Sequence, residues 1–400
     1  MIRQRACILL FCLVLPLVPA LPQSRSRTTT INTSQLARMR ARMQAFVDKG
    51  TIPGLVSLVA HRGQIVSESA IGMMNFETKA PMRMNTLFHI ASMSKPITCI
   101  GVLILLDEGR LALTDPVSKY LPEFADQKLR SGARPARPVN IRDLMAHTSG
   151  MSGTYPTQYG DFFQFFHERK PTLAAAVTTF AQTPLEFEPG ARWQYSNMGI
   201  ATLGRIIEAV SGQAFAAFMQ ARVFAPLGMN DTHYFLPAEK QARVATIYNL
   251  FEGRLVKAPI DLYRPHATYP APEAGLYSTA PDLFRLHQMT LNRGMLNGQR
   301  MLSRAAVSLM TTNHTGELKA GFVPGAGFGL GWSVVRNVEG MFRLNNIGTW
   351  SHGGLWKTYG YVDPTRELIG ILLMQRNSGD GDLSDEVNAF VAMSEAAMNN

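Results

Sequence analysis

The segment from Ser92 to Asp107 constrains the fold of this chain more than any other. Its apolar residues Ile97, Ile100, Val102, Leu103, Ile104, Leu105 and Leu106 spread over nearly every face of a helix, so it has no side to offer water and must be enclosed by other elements. Pro96 is tolerated because it falls near the first turn, where no intrahelical hydrogen bond is lost. Enclosing such a helix takes a sizeable chain. With 400 residues, 46 % of them apolar and 17 % charged, this one can bury about three-quarters of its unfolded surface. Disorder, coiled coil and collagen are excluded.

There are 39 basic against 29 acidic residues, a formal net charge of +10. Clustered, that excess would point to a polyanionic partner or a membrane surface. It is mostly scattered. Lys128, Arg130, Arg134 and Arg137 sit among Gly and Pro and read as a solvated loop, so no nucleic-acid partner is expected. Arg3 and Arg5 precede an apolar run from Ala6 to Val18 and the small-residue site Val18-Pro19-Ala20, the pattern of a secretory signal peptide over residues 1–20. The run is shorter than the ~20 residues that span a bilayer as a helix. The expectation is an exported protein, periplasmic or extracellular, with no stable membrane insertion after cleavage. Phe11, ahead of Cys12, is too bulky for lipoprotein processing. Cys7 and Cys12 leave with the signal, and Cys99 alone cannot form an intrachain disulfide.

Residues 21–32 read as an exposed polar leader, and the folded unit as 33–400. Thr33 or Ser34 is expected to cap a helix carrying Leu36, Met39, Met43, Phe46 and Val47, stopped by Gly50. Leu55 to Ala60 and Gln64 to Ala70 read as a hairpin. The stretch 113–313 is mainly helical in pattern, as in Ala201 to Val210 and Asp282 to Leu291. Towards the end come β-like runs at Gly329 to Val335, Arg343 to Thr349, Leu355 to Val362 and Glu367 to Met374, then a helix over Ser384 to Met398. This order predicts an α+β fold. An antiparallel sheet is assembled from 33–112 and 314–400, flanked by helices, with 113–313 as a largely helical insertion.

Three groups of residues carry chemistry. Ser92 and Lys95 form the only Ser-x-x-Lys of the chain; three apart on a helix, their hydroxyl and amine share a face. They stand where a strand-like stretch, Thr86 to Ile90, meets the buried helix, whose first N–H groups can stabilise an anion. Tyr195-Ser196-Asn197 leads into a helical pattern, and His352-Gly353-Gly354 lies between two β-like runs. With these motifs in this order, the chain resembles the class C β-lactamase-like serine hydrolases, which include β-lactamases, D-Ala-D-Ala carboxypeptidases, D-aminopeptidases and lipolytic esterases. The resemblance extends over most of the chain from about Thr33 and includes the stretches Asp143 to Gly150 and Ala274 to Asp282.

The resemblance implies a β-lactamase/transpeptidase-like fold, Ser92 as nucleophile and Lys95 with Tyr195 as the base system. It further implies an oxyanion hole from the backbone N–H groups of Ser92 and Leu355, and substrate contacts by Asn197, His352, Gly353 and Gly354. A lysine and a tyrosine with ordinary pKa values are almost wholly protonated at pH 7, and lowering a lysine by three units takes about 4 kcal/mol of environmental bias. Lys95 and Tyr195 are therefore expected to be closely packed. Many β-lactamases carry Lys-Thr-Gly where this chain has His352-Gly353-Gly354; a histidine, largely neutral near pH 7, is no permanent cation for a substrate carboxylate.

Elsewhere the bland readings prevail. His147 reads as a structural loop residue and Cys99 as a buried inert thiol. Tyr155, Tyr159, Phe162, Phe163, Phe165 and Phe166 form either an apolar lid over the site or core packing. The glycines at 325, 327, 329 and 331 fit neither dinucleotide nor phosphate-loop spacing and read as a loop entering a strand. No Gly-x-Ser-x-Gly turn, His-Glu-x-x-His or cysteine pair is present, so neither metal nor cofactor is expected. The sequence reads as a serine hydrolase forming an acyl-enzyme on Ser92, a carboxylesterase on small esters. Its rivals are a D-Ala-D-Ala carboxypeptidase or D-aminopeptidase with weak β-lactamase activity, and a non-catalytic binding protein on the same fold. The partner is a small-molecule ester or peptide substrate; oligomeric state is left open.

Overall fold

The computed structural model describes residues 30–160, 164–165, 168–260, 263, 265–340, 343–377 and 384–399. The signal segment 1–20, most of the leader and Phe162, Phe163 and Phe166 lie outside the described residues. In chain order the elements used below are α1 (Thr33–Asp48), β1 (Gly54–His61), β2 (Gln64–Asn75), β3 (Ala80–Pro81), β4 (Phe88–His89), α2 (Ser94–Asp107), α3 (Ile141–Met145) and α4 (Asn197–Ser211). There follow β5 (Tyr277–Ser278), α5 (Ala280–Leu291), β6 (Ala326–Phe328), β7 (Ser333–Val335), β8 (Trp350–Gly354), β9 (Thr358–Asp363), β10 (Leu368–Leu373) and α6 (Asp385–Glu395).

An eight-stranded sheet, ordered β6-β7-β8-β9-β10-β1-β2-β3, is antiparallel throughout. The pairing of β10 with β1, Ile371 opposite Leu58, joins the two ends of the chain. Every residue of β1 is buried, because both faces of the sheet are covered. On one face Leu36, Met39 and Met43 of α1 and Phe390 and Val391 of α6 pack on Leu55, Tyr361 and Leu372. On the other, Val56, Leu58, Ile369 and Ile371 share a core with α2, with Leu283 and Leu286 of α5 and with Ile200, Leu203 and Ile207 of α4. Helix α2 is buried without interruption from Ser94 to Leu105, as its all-round apolar surface requires. Gly101 lets it approach its neighbours: a Cβ there would lie 2.8 Å from Met219 Sδ and 2.9 Å from Ile207 Cδ1.

Several local expectations are corrected. Asn32, not Thr33 or Ser34, caps α1, its Oδ1 accepting the Gln35 N–H at 2.9 Å. Ser92 sits on a 3₁₀ turn, Ala91–Met93, and α2 proper begins at Ser94. His352-Gly353-Gly354 lies inside strand β8, with Leu355 in the turn to β9. Residues 343–349 form no strand, since side chains hold them instead. Arg343 donates to Asn388 Oδ1 at 3.0 Å and Tyr359 Oη at 2.7 Å, and Asn345 to Glu395 Oε1 at 2.9 Å. The glycine-rich stretch contains a strand of its own, β6. Of the two readings of the aromatic run, lid or core packing, Tyr155 and Phe165 take the second: Phe165 is 2 % exposed, its ring centroid 4.5 Å from that of Tyr155 and 4.9 Å from that of Tyr269.

Leu103 is fully buried in α2. Leu103→Ala is expected to lower the unfolding free energy by about 2–5 kcal/mol, read as a reduced midpoint in chemical denaturation with the m-value unchanged.

Candidate active site

The site begins with strained backbone. Ala91, a non-glycine residue, has φ of +45°, a conformation that persists only where its surroundings over-determine it. Here β4 pairs with β5 just before it, the Ile90 N–H donates to Leu276 O at 2.9 Å, and Ser94 Oγ donates to Ala91 O at 2.7 Å. The turn so held presents Ser92, half-buried, at the start of α2. One turn on, Lys95 is completely buried. Its Nζ donates to Ser92 Oγ at 3.1 Å and to the backbone carbonyl of Glu273 at 2.8 Å, and stands 4.6 Å from the ring centroid of Tyr195. Burial lowers its pKa from 10.5 to about 7, against the opposing pull of the Glu273 carboxyl and Cys99. Near neutrality a substantial fraction of Lys95 is free amine, and a free amine at this distance can take the hydroxyl proton.

The aromatic ring of Tyr195 is fixed from several sides. The His147 ring centroid lies 4.5 Å away, that of Phe322 5.1 Å and that of His352 6.2 Å. His147 is fully buried, and its Nδ1 accepts the N–H of Ser196 at 3.2 Å, so its proton is on Nε2. His352 has the opposite tautomer: Nδ1 faces Gly353 O at 2.7 Å and must donate, which leaves Nε2 as an acceptor. Burial and then the Lys95 charge push His352 down to about 3, and burial pushes His147 well below the ordinary histidine value. Both are neutral. Asn197 opens α4 after its cap, Ser196, whose Oγ accepts the Gly199 N–H at 3.2 Å. Among the hydrogen bonds of the described residues, none joins Asn197 to Ser92 or Lys95.

Strand β8 closes against the serine turn. A Cβ on Gly354 would fall 2.3 Å from Ile90 O and 2.2 Å from Thr358 Oγ1, so only glycine permits this approach. Leu355 then packs with Ala91 and Trp356, and Trp356 Nε1 donates to His89 Nδ1 at 2.8 Å. Among the described residues, the N–H groups of Ser92 and Leu355 appear in none of the backbone hydrogen bonds made outside helices and strands. Two such donors on adjoining elements can receive a developing oxyanion.

Residues 39–393 match the β-lactamase family. The chain belongs to that family. It is 32 % identical over 367 residues to Esterase EstB of Burkholderia gladioli, covering 84 % of this chain and 90 % of that protein. It is 28 % identical to penicillin-binding protein 4* of Bacillus subtilis, over 78 % of this chain and 66 % of the relative. Among solved structures, EstCE1, a hydrolase with promiscuous acyltransferase activity, superposes with a TM-score of 0.79 at 24 % identity, covering 92 % and 99 % of the two chains. The protein is thus a serine hydrolase with the β-lactamase/transpeptidase-like fold.

Some residues of this β-lactamase-family site were invisible in its motifs. Glu273 supplies the carbonyl for Lys95 from the loop before β5, and His147, read as structural, braces Tyr195. An apolar wall beside Tyr195 comes from Trp193, Phe322 and Phe328, with Trp193 5.5 Å from each of the other two rings and Phe322 49 % exposed. The signal for His147 was its place in the matched stretch Asp143 to Gly150. For Glu273 and Phe322 only tertiary contact reveals the link. Nitrogen spectra of ring-labelled histidine are expected to show His147 and His352 neutral and in opposite tautomers throughout the range where an exposed histidine titrates.

Proposed function

We propose that this serine hydrolase is a carboxylesterase acting on small esters through an acyl-enzyme on Ser92. The single observation that carries the reading is the buried Lys95 amine, 3.1 Å from Ser92 Oγ and lowered to about 7. In the proposed cycle Ser92 Oγ attacks the ester carbonyl while its proton passes to Lys95, with the Tyr195 phenol completing the base system. The N–H groups of Ser92 and Leu355 receive the oxyanion, each contributing about 3 kcal/mol to the transition state. Collapse expels the alkoxide, which takes the proton from Lys95. Water then repeats the sequence on the acyl group, and Ser92 is regenerated.

Two features favour an ester over a cell-wall peptide or a β-lactam. His352 is neutral where many β-lactamases have a lysine, so that position offers no cation to a substrate carboxylate. The wall of Trp193, Phe322 and Phe328 suits an apolar acyl or alcohol group. Asn197, Gly353 and Gly354 are the proposed flanking substrate contacts. A relative such as Esterase EstB accords with this. A penicillin-binding protein and a D-alanyl-D-alanine carboxypeptidase among the relatives keep a D-Ala-D-Ala carboxypeptidase or D-aminopeptidase reading as the rival. Export rests on the pattern of residues 1–20; among the described residues no helix is long and apolar enough to cross a membrane.

The test is a substrate panel of p-nitrophenyl acyl esters, a chromogenic cephalosporin and D-Ala-D-Ala peptides, run with Ser92→Ala. Ester turnover is expected to dominate and to fall by about 10⁴-fold or more in the variant. Turnover surviving in Ser92→Ala would sink the mechanism. Peptide turnover above ester turnover would transfer the reading to the peptidase. Because the neutral amine is the active form, kcat/KM is expected to fall about tenfold per pH unit below about 7.

A further inference from the structure

The residue whose backbone carbonyl holds Lys95 carries a carboxylate that the proposed acylation steps do not use. The Glu273 side chain is fully buried. Its Oε1 accepts from Tyr155 Oη at 2.6 Å, and Tyr269 Oη reaches both oxygens, at 3.0 and 3.1 Å. The shorter distance is that of a hydroxyl donating to a charged oxygen, and two phenols converging on both oxygens are what an ionised carboxylate asks for. A lone buried carboxylate is costly without a nearby positive charge, and the same residue's backbone carbonyl holds Lys95 Nζ at 2.8 Å. The residue therefore touches the lysine by its main chain and acts on it by its side chain.

We propose that Glu273 is a positioning residue, fixing Lys95 on Ser92 through its carbonyl and governing, through its tyrosine-clamped carboxylate, how readily Lys95 takes up a proton. This rests on the reading of Lys95 as the base. Burial raises the affinity of Glu273 for a proton and leaves its pKa above the usual carboxylate value, while the Tyr155 phenol, its own backbone N–H, Lys95 and the Tyr269 phenol work the other way. Lys95 feels the mirror image, with burial expelling its proton and Glu273 retaining it. The other groups facing the pair are Cys99 on α2, a thiol kept neutral by burial, and the neutral rings of His147 and His352. Tyr195 lies across from Lys95, and Tyr234 bonds Thr98 from the far side. Arg169 is a further buried cation on this side of the site. Its guanidinium donates to the carbonyls of Tyr269 and Pro270, at 2.9 and 2.7 Å, and anchors the loop that carries Glu273.

The test compares kcat/KM against pH on p-nitrophenyl acetate for the wild type, Glu273→Gln, Tyr155→Phe and the double variant, with a thermal melt of each. Glutamine keeps the shape and the main-chain carbonyl but removes the charge that holds a proton on Lys95. The acidic limb is expected to move to lower pH by at least about one unit in Glu273→Gln. Tyr155→Phe should move it in the same direction by less, and the double variant no further than Glu273→Gln. A folded Glu273→Gln with lowered turnover at every pH and an unmoved limb overturns the proposal, since that is the signature of a merely structural role. If Glu273→Gln does not fold, Tyr155→Phe and Tyr269→Phe decide, and an unmoved limb in both overturns it equally. Failure of the underlying mechanism reads differently: Ser92→Ala or Lys95→Ala would keep ester turnover.

Discussion

The site depends on one costly interaction, the burial of the Lys95 amine. Its shift from 10.5 to about 7 corresponds to about 5 kcal/mol of bias against the ammonium. Its folded value lies below the unfolded one, so that cost is carried in full below about pH 7 and fades as pH rises towards the ordinary lysine range. The enclosing core offsets it. Helix α2 is buried from Ser94 to Leu105, and the same apolar surround that stabilises the fold keeps water from the amine. Stability and reactivity therefore draw on one feature, the absence of a solvent face on α2.

Around that lysine the fold assembles groups from distant parts of the chain. Strand β8, near the C-terminal end, closes against the turn before Ser92 because Gly354 has no side chain. The loop before β5 supplies the Glu273 carbonyl, and the segment before α4 supplies Tyr195. Each approach is held by hydrogen bonds away from the reacting atoms, as with Ser94 to Ala91 and Trp356 to His89. The strained φ of Ala91 persists because these contacts over-determine it.

Much of this was legible in the residues. The all-round apolar pattern marked α2 as central, and the β-like runs at both ends implied the sheet that β10 and β1 close. The motifs singled out Ser92, Lys95, Tyr195 and His352, which the fold gathers. The failures share a cause. Arg343 to Thr349 looked like a strand, yet Arg343 and Asn345 bond to α6 and β9 across the fold, and such partners override a local pattern. For Tyr155 and Phe165 the residues left lid and core packing open, because an aromatic run carries no sign of which way it faces.

By itself the sequence determined the family, the order of the motifs and the need for an enclosed helix, since periodicity and spacing are local properties. Only the tertiary structure decided that the amine of Lys95 is partly neutral, that His147 and His352 hold opposite tautomers, and that the Glu273 carbonyl holds the lysine. Those properties come from burial and from hydrogen bonds between residues far apart in the chain. No pattern along it records what will surround a charge once it is removed from water.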